Sequence, residues 1–303
     1  MVAAGRSGAR TNAPGDRDGL PIPAGPGRRD HRLVLAVRRR LAPLLLAAML
    51  VAPSAVPAAA ATAVPAGDPA MLKAGADLAT LTNDQRTKAG LVILRVDPAL
   101  ATIARDRADV MAATDRMSHT EPDGANVFDR IDEAGLAWYG AGEIIAWNAY
   151  PEKYSTAEAI RAWMASPGHH AIMVSTGYNY VGFGAAISSS GKRYYAGVFA
   201  KRPDHTGPWA RFGSVAMTTV DATHKRVTVH WTGADTKLQV LTSGFYRFDI
   251  QYRSGGGAWT HWATTGIPSR TITLVRGVAY QFRLRSRDNA GNLGPWMFTT
   301  LTP

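Results

Sequence analysis

Near Ser214 the hydrophobic pattern of this chain changes period, and no single architecture accommodates both halves. Upstream, from about Gly75, apolar residues recur every three or four positions, the spacing of an amphipathic helix. Downstream they alternate: Val227, Val229 and Trp231; Tyr246, Phe248, Ile250 and Tyr252; Tyr280, Phe282 and Leu284. Period two kept up over several short runs, with turn residues between them, calls for an all-β body. A chain of 303 residues has room for two such domains.

The upstream half punctuates its helices clearly. Asp97 is a natural N-cap with Pro98 at the first helical position, and Leu100, Ile103, Ala104, Arg107 and Met111 form one stripe, apolar but for the arginine. "ANVFDRIDEAG" reads as a short helix stopped by Gly135. "STAEAIRAWMA" opens with Ser155 and Glu158 at capping-box spacing, which makes Glu158 a cap rather than a catalytic acid. "YVGFGAAI" and "RYYAGVFA", separated by "SSSGK", form a β-hairpin. "RPDHTGPWARFG" is a Pro- and Gly-containing linker.

The front of the chain reads as an address. Residues 1–31 are rich in Gly, Pro and Arg without an apolar period, a disordered extension or a start assigned too early. Arg38, Arg39 and Arg40 then precede "LAPLLLAAMLVAPSAVPAAAA", with small residues at Ala58 and Ala60: a signal peptide over 32–61. Pro43, Pro53 and Pro57 break this run short of the roughly 20 apolar residues a membrane span needs. The expected order is therefore signal peptide 32–61, linker 62–74, α/β domain 75–203, linker 204–213 and β-sandwich 214–303. Export to the extracellular space or the cell envelope follows, with no stable transmembrane span after cleavage.

Charge and cysteine content remove several functions. No cysteine is present, so disulfides, thiolate metal sites and cysteine nucleophiles are excluded. The formal net charge is +11, but residues 68–205 carry fourteen basic and sixteen acidic groups against eleven and four in 206–303. The middle domain thus has no electrostatic footprint for nucleic acid. Arg247, Arg253, Arg283, Arg285 and Arg287 fall on one face of the β-domain. No aromatic residue interleaves with them at the odd positions 281–287, so a solvated sheet face is expected there.

Three stretches carry the chemistry: "MSHTEPDG" (117–124), "GEIIAW" (142–147) and "WMASPGHHA" (163–171). Each is weak alone, but their order and spacing resemble the CAP superfamily (SCP domain) in its bacterial, cysteine-free form, over roughly Leu78 to Phe199. That resemblance implies an α/β fold, an α-β-α sandwich, with a cleft lined by two histidines and two glutamates. His119 matches the first histidine, Glu143 one glutamate and His169 the second histidine. The second glutamate position is Ser166 here, the Asn of Gly-Glu-Asn is Ile144, the Asn after the second histidine is Ile172, and the Arg following it is His170.

Two imidazoles and a carboxylate suit Zn²⁺ or a similar divalent ion, so His119, Glu143 and His169 are the candidate metal residues. Glu143 is a ligand, or a general base if the protein is hydrolytic. No Gly-x-Ser-x-Gly or His-Glu-x-x-His motif accompanies them. Ser166, before Pro167, reads as the N-cap of a short helix. The tail resembles a fibronectin type III domain through Leu274, Gly277 and Tyr280, which implies an immunoglobulin-like sandwich. The functional expectation is a secreted binding protein whose partner is an extracellular protein, an envelope polymer or a lipid. A metal-dependent hydrolase and a lipid carrier are the alternatives.

Overall fold

The computed structural model describes residues 3–4 and 68–303. The expected signal peptide, almost all of the N-terminal extension and the start of the first linker lie outside the described residues. Within them, no helix is long and apolar enough to cross a membrane.

Asp68 accepts a hydrogen bond from the Ala70 amide and Pro69 fixes the first turn, so helix α1 (Pro69–Lys88) begins earlier than its apolar pattern suggests. Strand β1 (Ala3–Ala4) pairs with the edge of β3 (Gly140–Asn148), and β2 (Arg95–Val96) leads into α2 (Pro98–Thr114). Asp97 caps α2 as expected, and the whole stripe Leu100, Ile103, Ala104, Arg107 and Met111 is buried. α3 (Val127–Glu133) carries a capping box made by Asn126 and Asp129, and Gly135 ends it at φ 66°.

α4 (Glu152–Ala165) corrects one expectation. Pro151 sets its start a turn upstream, so Ser155 lies inside the helix with its hydroxyl on the Glu152 carbonyl, and Glu158 pairs with Arg161. The Ser155–Glu158 spacing is therefore no cap. α5 (Pro167–Met173) does start after Ser166, with Pro167 in the first turn, but the serine side chain makes no capping bond.

β4 (Tyr180–Ile187) and β5 (Arg193–Lys201) form the expected hairpin, and the sheet runs β1-β3-β5-β4-β2. Alternation divides its side chains between two cores. Ala141, Ile145, Tyr180, Ala196 and Val198 pack with α2 and α3; Ile144, Val181, Phe183, Tyr195 and Phe199 pack with α1, α4 and α5. The result is a three-layer α-β-α sandwich. Gly182 and Gly184 let α2 lie directly on β4: a Cβ at either would sit about 2 Å from the α2 backbone. This close approach brings Arg107 to the sheet.

The C-terminal part is all-β. β6 (Trp209–Thr219), β7 (His224–Ala234) and β10 (Ser269–Val275) form one sheet in the order β10-β7-β6. β8 (Phe245–Ser254), β9 (Thr260–Thr265), β11 (Tyr280–Asp288) and β12 (Met297–Leu301) form the other, in the order β12-β11-β8-β9. Val227, Val229, Trp231, Phe248, Ile250, Phe282 and Leu284 fill the space between them. The Tyr280 hydroxyl lies 3.3 Å from the Val275 amide, and Gly277 turns the chain at φ 75°. Tyr246 departs from the expected alternation and is exposed.

The joint between the two parts is packed. Leu238 is buried in the core of the α2–α3 layer. Gln239 Oε1 accepts from the Val92 amide at 3.0 Å and from Arg86, a fully buried side chain that also donates to the Met173 and Ser175 carbonyls. Asp204, Asp235 and Asp288 gather nearby, and their oxygens accept from the amides of Ser243, Gly244 and Asn292, which holds the loops of the joint together.

Candidate functional site

Glu143 projects from β3 on the face of Ala141 and Ile145 and is fully buried. A lone carboxylate there would be untenable, because burying an unpaired charge costs several kcal/mol. Arg107 answers it from α2: Nε lies 2.8 Å from Oε1 and Nη2 3.3 Å from Oε2, a fork on both oxygens. Nη1 of the same guanidinium binds Glu121 at 2.7 Å and Nη2 the Ser118 carbonyl at 3.0 Å. Glu121 is held in turn by Arg130 of α3 at 2.5 Å, and Arg130 also reaches Asp123 and Glu133.

The "SHTEPDG" loop is thus stapled to α2 and α3 by guanidinium–carboxylate pairs. Burial pulls the Arg107 pKa down, and the hydrogen bonds to Glu143 and Glu121 more than reverse this, so it lies above the ordinary value. Burial pushes the Glu121 carboxyl up, and Arg130 and Arg107 bring it below the usual carboxylate range.

The staple delivers His119, whose Nδ1 stands 2.6 Å from Glu143 Oε2. When Nδ1–H donates to the carboxylate, the tautomer and ring plane are fixed and Nε2 becomes the basic nitrogen. His169 is nearly buried on α5, the helix that packs against β3. Trp163 of the same motif ties α4 to β3, its indole N–H lying 3.0 Å from the Ile145 carbonyl.

The structure therefore joins His119 to Glu143 directly and sets His169 on a helix against the strand that bears Glu143. Ile144 and Ile172, at the two positions where the resemblance expects asparagine, are core residues of the opposite layer. His170 is exposed.

Two partners escaped the motif reading, Arg107 and Glu121. The arginine signalled itself as the one charged member of a buried stripe, but a position 36 residues before Glu143 does not reveal its partner. Both line a cleft of about 680 Å³ between α2 and α3, with Ile103, Asp106, Val110 and Arg130. A separate apolar groove of about 420 Å³ runs along α1, lined by Met71, Leu72, Ala79 and Phe183.

The site is therefore a His–Glu–Arg cluster on a three-layer α-β-α fold, with Glu143 and Arg107 buried and His119 partly exposed. Residues 79–199 match the model of the CAP, cysteine-rich secretory protein family, and form a CAP domain. The chain is 32% identical over 111 residues to Uncharacterized protein YkwD of Bacillus subtilis, covering 36% of this chain and 41% of that protein. It is 30% identical over 122 residues to Uncharacterized membrane protein YlbC of the same organism, covering 40% and 33%. The chain thus spans less than half the length of either relative.

Among solved structures, an outer surface protein of Borrelia burgdorferi aligns with a TM-score of 0.38 at 21% identity, over 42% of this chain and 91% of that one. An extracellular SCP-domain protein of Bacillus anthracis aligns with a TM-score of 0.38 at 23% identity, over 44% and 41%.

Proposed function

We propose that this is an exported protein that works by binding, through the CAP cleft around His119, Glu143 and His169. Its C-terminal part would be a fibronectin type III-like sandwich, a reading supported by the three- and four-stranded sheets and the Tyr280–Val275 bond of a tyrosine corner. Export to the extracellular space or envelope rests on the signal-peptide pattern of residues 32–61.

One observation carries the binding reading. Both oxygens of Glu143 are already hydrogen-bonded inside the protein. A general base has to take a proton from water at the moment of reaction, and Glu143 is fully buried with both oxygens engaged by protein donors. Hydrolysis fits this geometry poorly.

The same observation shapes the metal proposal. Glu143 serves best as the carboxylate that orients His119, so a divalent ion would be held by imidazole nitrogens, Nε2 of His119 among them, with water completing the shell. Zn²⁺ suits that donor set and would supply Lewis acidity when bound. Two protein ligands make a weaker site than the three of catalytic zinc.

Calorimetric titration of the metal-stripped protein with Zn²⁺ tests this. One equivalent should bind, and His119→Ala and His169→Ala should each abolish binding while circular dichroism stays native. Glu143→Gln should weaken it about 10- to 100-fold without abolishing it, as for an outer-shell partner. No zinc uptake by the parent protein would reduce the cluster to a polar joint and end the metal reading. A lipid-carrying role is the second reading, favoured by the apolar groove along α1. It requires extraction of a fluorescent fatty acid that Ala79→Trp blocks.

A further inference from the structure

The outward face of the β12-β11-β8-β9 sheet carries a row of arginines with aromatic rings set between them. The sequence pattern suggested a plain solvated face, because no aromatic residue shares the strand positions. The rings arrive from neighbouring segments instead. Trp259, before β9, has the guanidiniums of Arg253 and Arg283 each 4.4 Å from its centre. Trp296, before β12, has Arg283 at 4.5 Å and Arg285 at 4.4 Å. The ladder runs Arg253, Trp259, Arg283, Trp296, Arg285.

Each of these guanidiniums lies 4.4–4.5 Å from a ring centre, and a guanidinium held against a ring keeps N–H groups that can donate to an acceptor. Glutamines steady the row: Gln281 accepts from Arg253 Nε at 2.7 Å and Gln251 from Arg283 Nε at 2.8 Å.

The charge on this face is not balanced. Arg287 lies directly opposite Arg247 in the β11–β8 register, where like charges repel, and the Nε of each is buried without a hydrogen-bond partner. Asp249, 3.3 Å from Arg285, is the one carboxylate paired with any of the five arginines among the described residues. Burial first, and then the charges of Arg285 and Arg253, lower the Arg283 pKa. A crowded array of this kind lacks its counter-charge.

We propose that this face binds a linear acidic polysaccharide carrying a carboxylate on each repeat. Planar guanidinium forks match planar carboxylates, and the row contains five arginines and no lysine. The face is an open strand surface, which suits an extended chain. Each tryptophan ring already holds two guanidiniums, which limits the ring area left for stacking the bases of a single-stranded nucleic acid. Phe298, 63% exposed and tilted against Trp259 at 6.0 Å, offers an open aromatic surface for a sugar ring beside the charges. This inference goes beyond the CAP reading and does not depend on it.

The test is calorimetric titration of the full chain with polygalacturonate at two salt concentrations, with dextran and oligo(dT) as comparison ligands. Polygalacturonate should bind, more weakly at high salt, and dextran should not. Arg283→Gln/Arg285→Gln should lower affinity at least about tenfold. Arg247→Gln/Arg287→Gln, outside the tryptophan ladder, should also lower it, and provides the reading if the first pair fails to fold. The proposal is overturned if the parent protein ignores polygalacturonate, if a folded double variant binds it as well as the parent, or if oligo(dT) binds more tightly through the same arginines.

Discussion

Arg107 decides what Glu143 can be. Its side chain is only 1% exposed and holds two carboxylates from different segments, one on the central sheet and one in the loop that bears His119. Removing one member of a buried ion pair strands the other and costs about 3–5 kcal/mol, whereas replacing both by neutral groups costs much less. Arg107→Ala should therefore lose about 3–5 kcal/mol in urea unfolding, and Arg107→Met/Glu143→Gln should recover part of it. If the double variant is no more stable than Arg107→Ala, Glu143 is not the group that the arginine neutralises. His119 and Glu143 were legible because they sit in short motifs of recognisable spacing. Arg107 was legible only as an anomaly, since an apolar helical stripe shows that a position is buried and not what it meets across the core.

The end of α2 is tied to the β4–β5 hairpin by one side chain. Asp115 adopts a left-handed conformation at φ 47° and accepts from Lys192 at 2.9 Å, from Tyr194 at 3.0 Å and from Ser190 at 3.1 Å. The Lys192 ammonium first, and then the Tyr194 hydroxyl, lower its pKa to about 2. In the unfolded chain an aspartate titrates near 3.9. Between those values the unfolded state binds more protons, so this tether contributes stability above about pH 4 and loses it as pH falls towards 2. Asp115→Asn should flatten the fall in urea midpoint measured at pH 4.5, 3.5 and 2.5. An unchanged slope would mean that the tether carries no ionic component. The hairpin, the start of α2 at Asp97 and the end of α3 at Gly135 were readable because turn and capping residues act locally. The start of α4 was not, because Pro151 fixed it one turn before the residues that looked like a cap.

The two parts of the molecule share more than a linker. Gln239 bonds Val92 and Arg86, Asn179 donates to the Val240 carbonyl at 3.2 Å, and Leu238 completes a core otherwise built from the CAP layer. The period change near Ser214 separates an α/β half from a β half, but it gives no hint that a loop of the second enters the first. Burial of Arg86 shows how much rests on this joint. Desolvation lowers its pKa, and its bonds to backbone carbonyls and Gln239 are what offset that cost. Opening the joint would expose Leu238 and remove one acceptor of that guanidinium together. Leu238→Ala should then destabilise the CAP half as well as the sandwich, by about 2–5 kcal/mol for a buried leucine. Scanning calorimetry of the parent protein should show one cooperative transition, and the variant a lower midpoint for the CAP helices followed by far-ultraviolet circular dichroism. Two independent transitions, with the helices melting at the parent temperature in Leu238→Ala, would show that the halves are joined without being coupled.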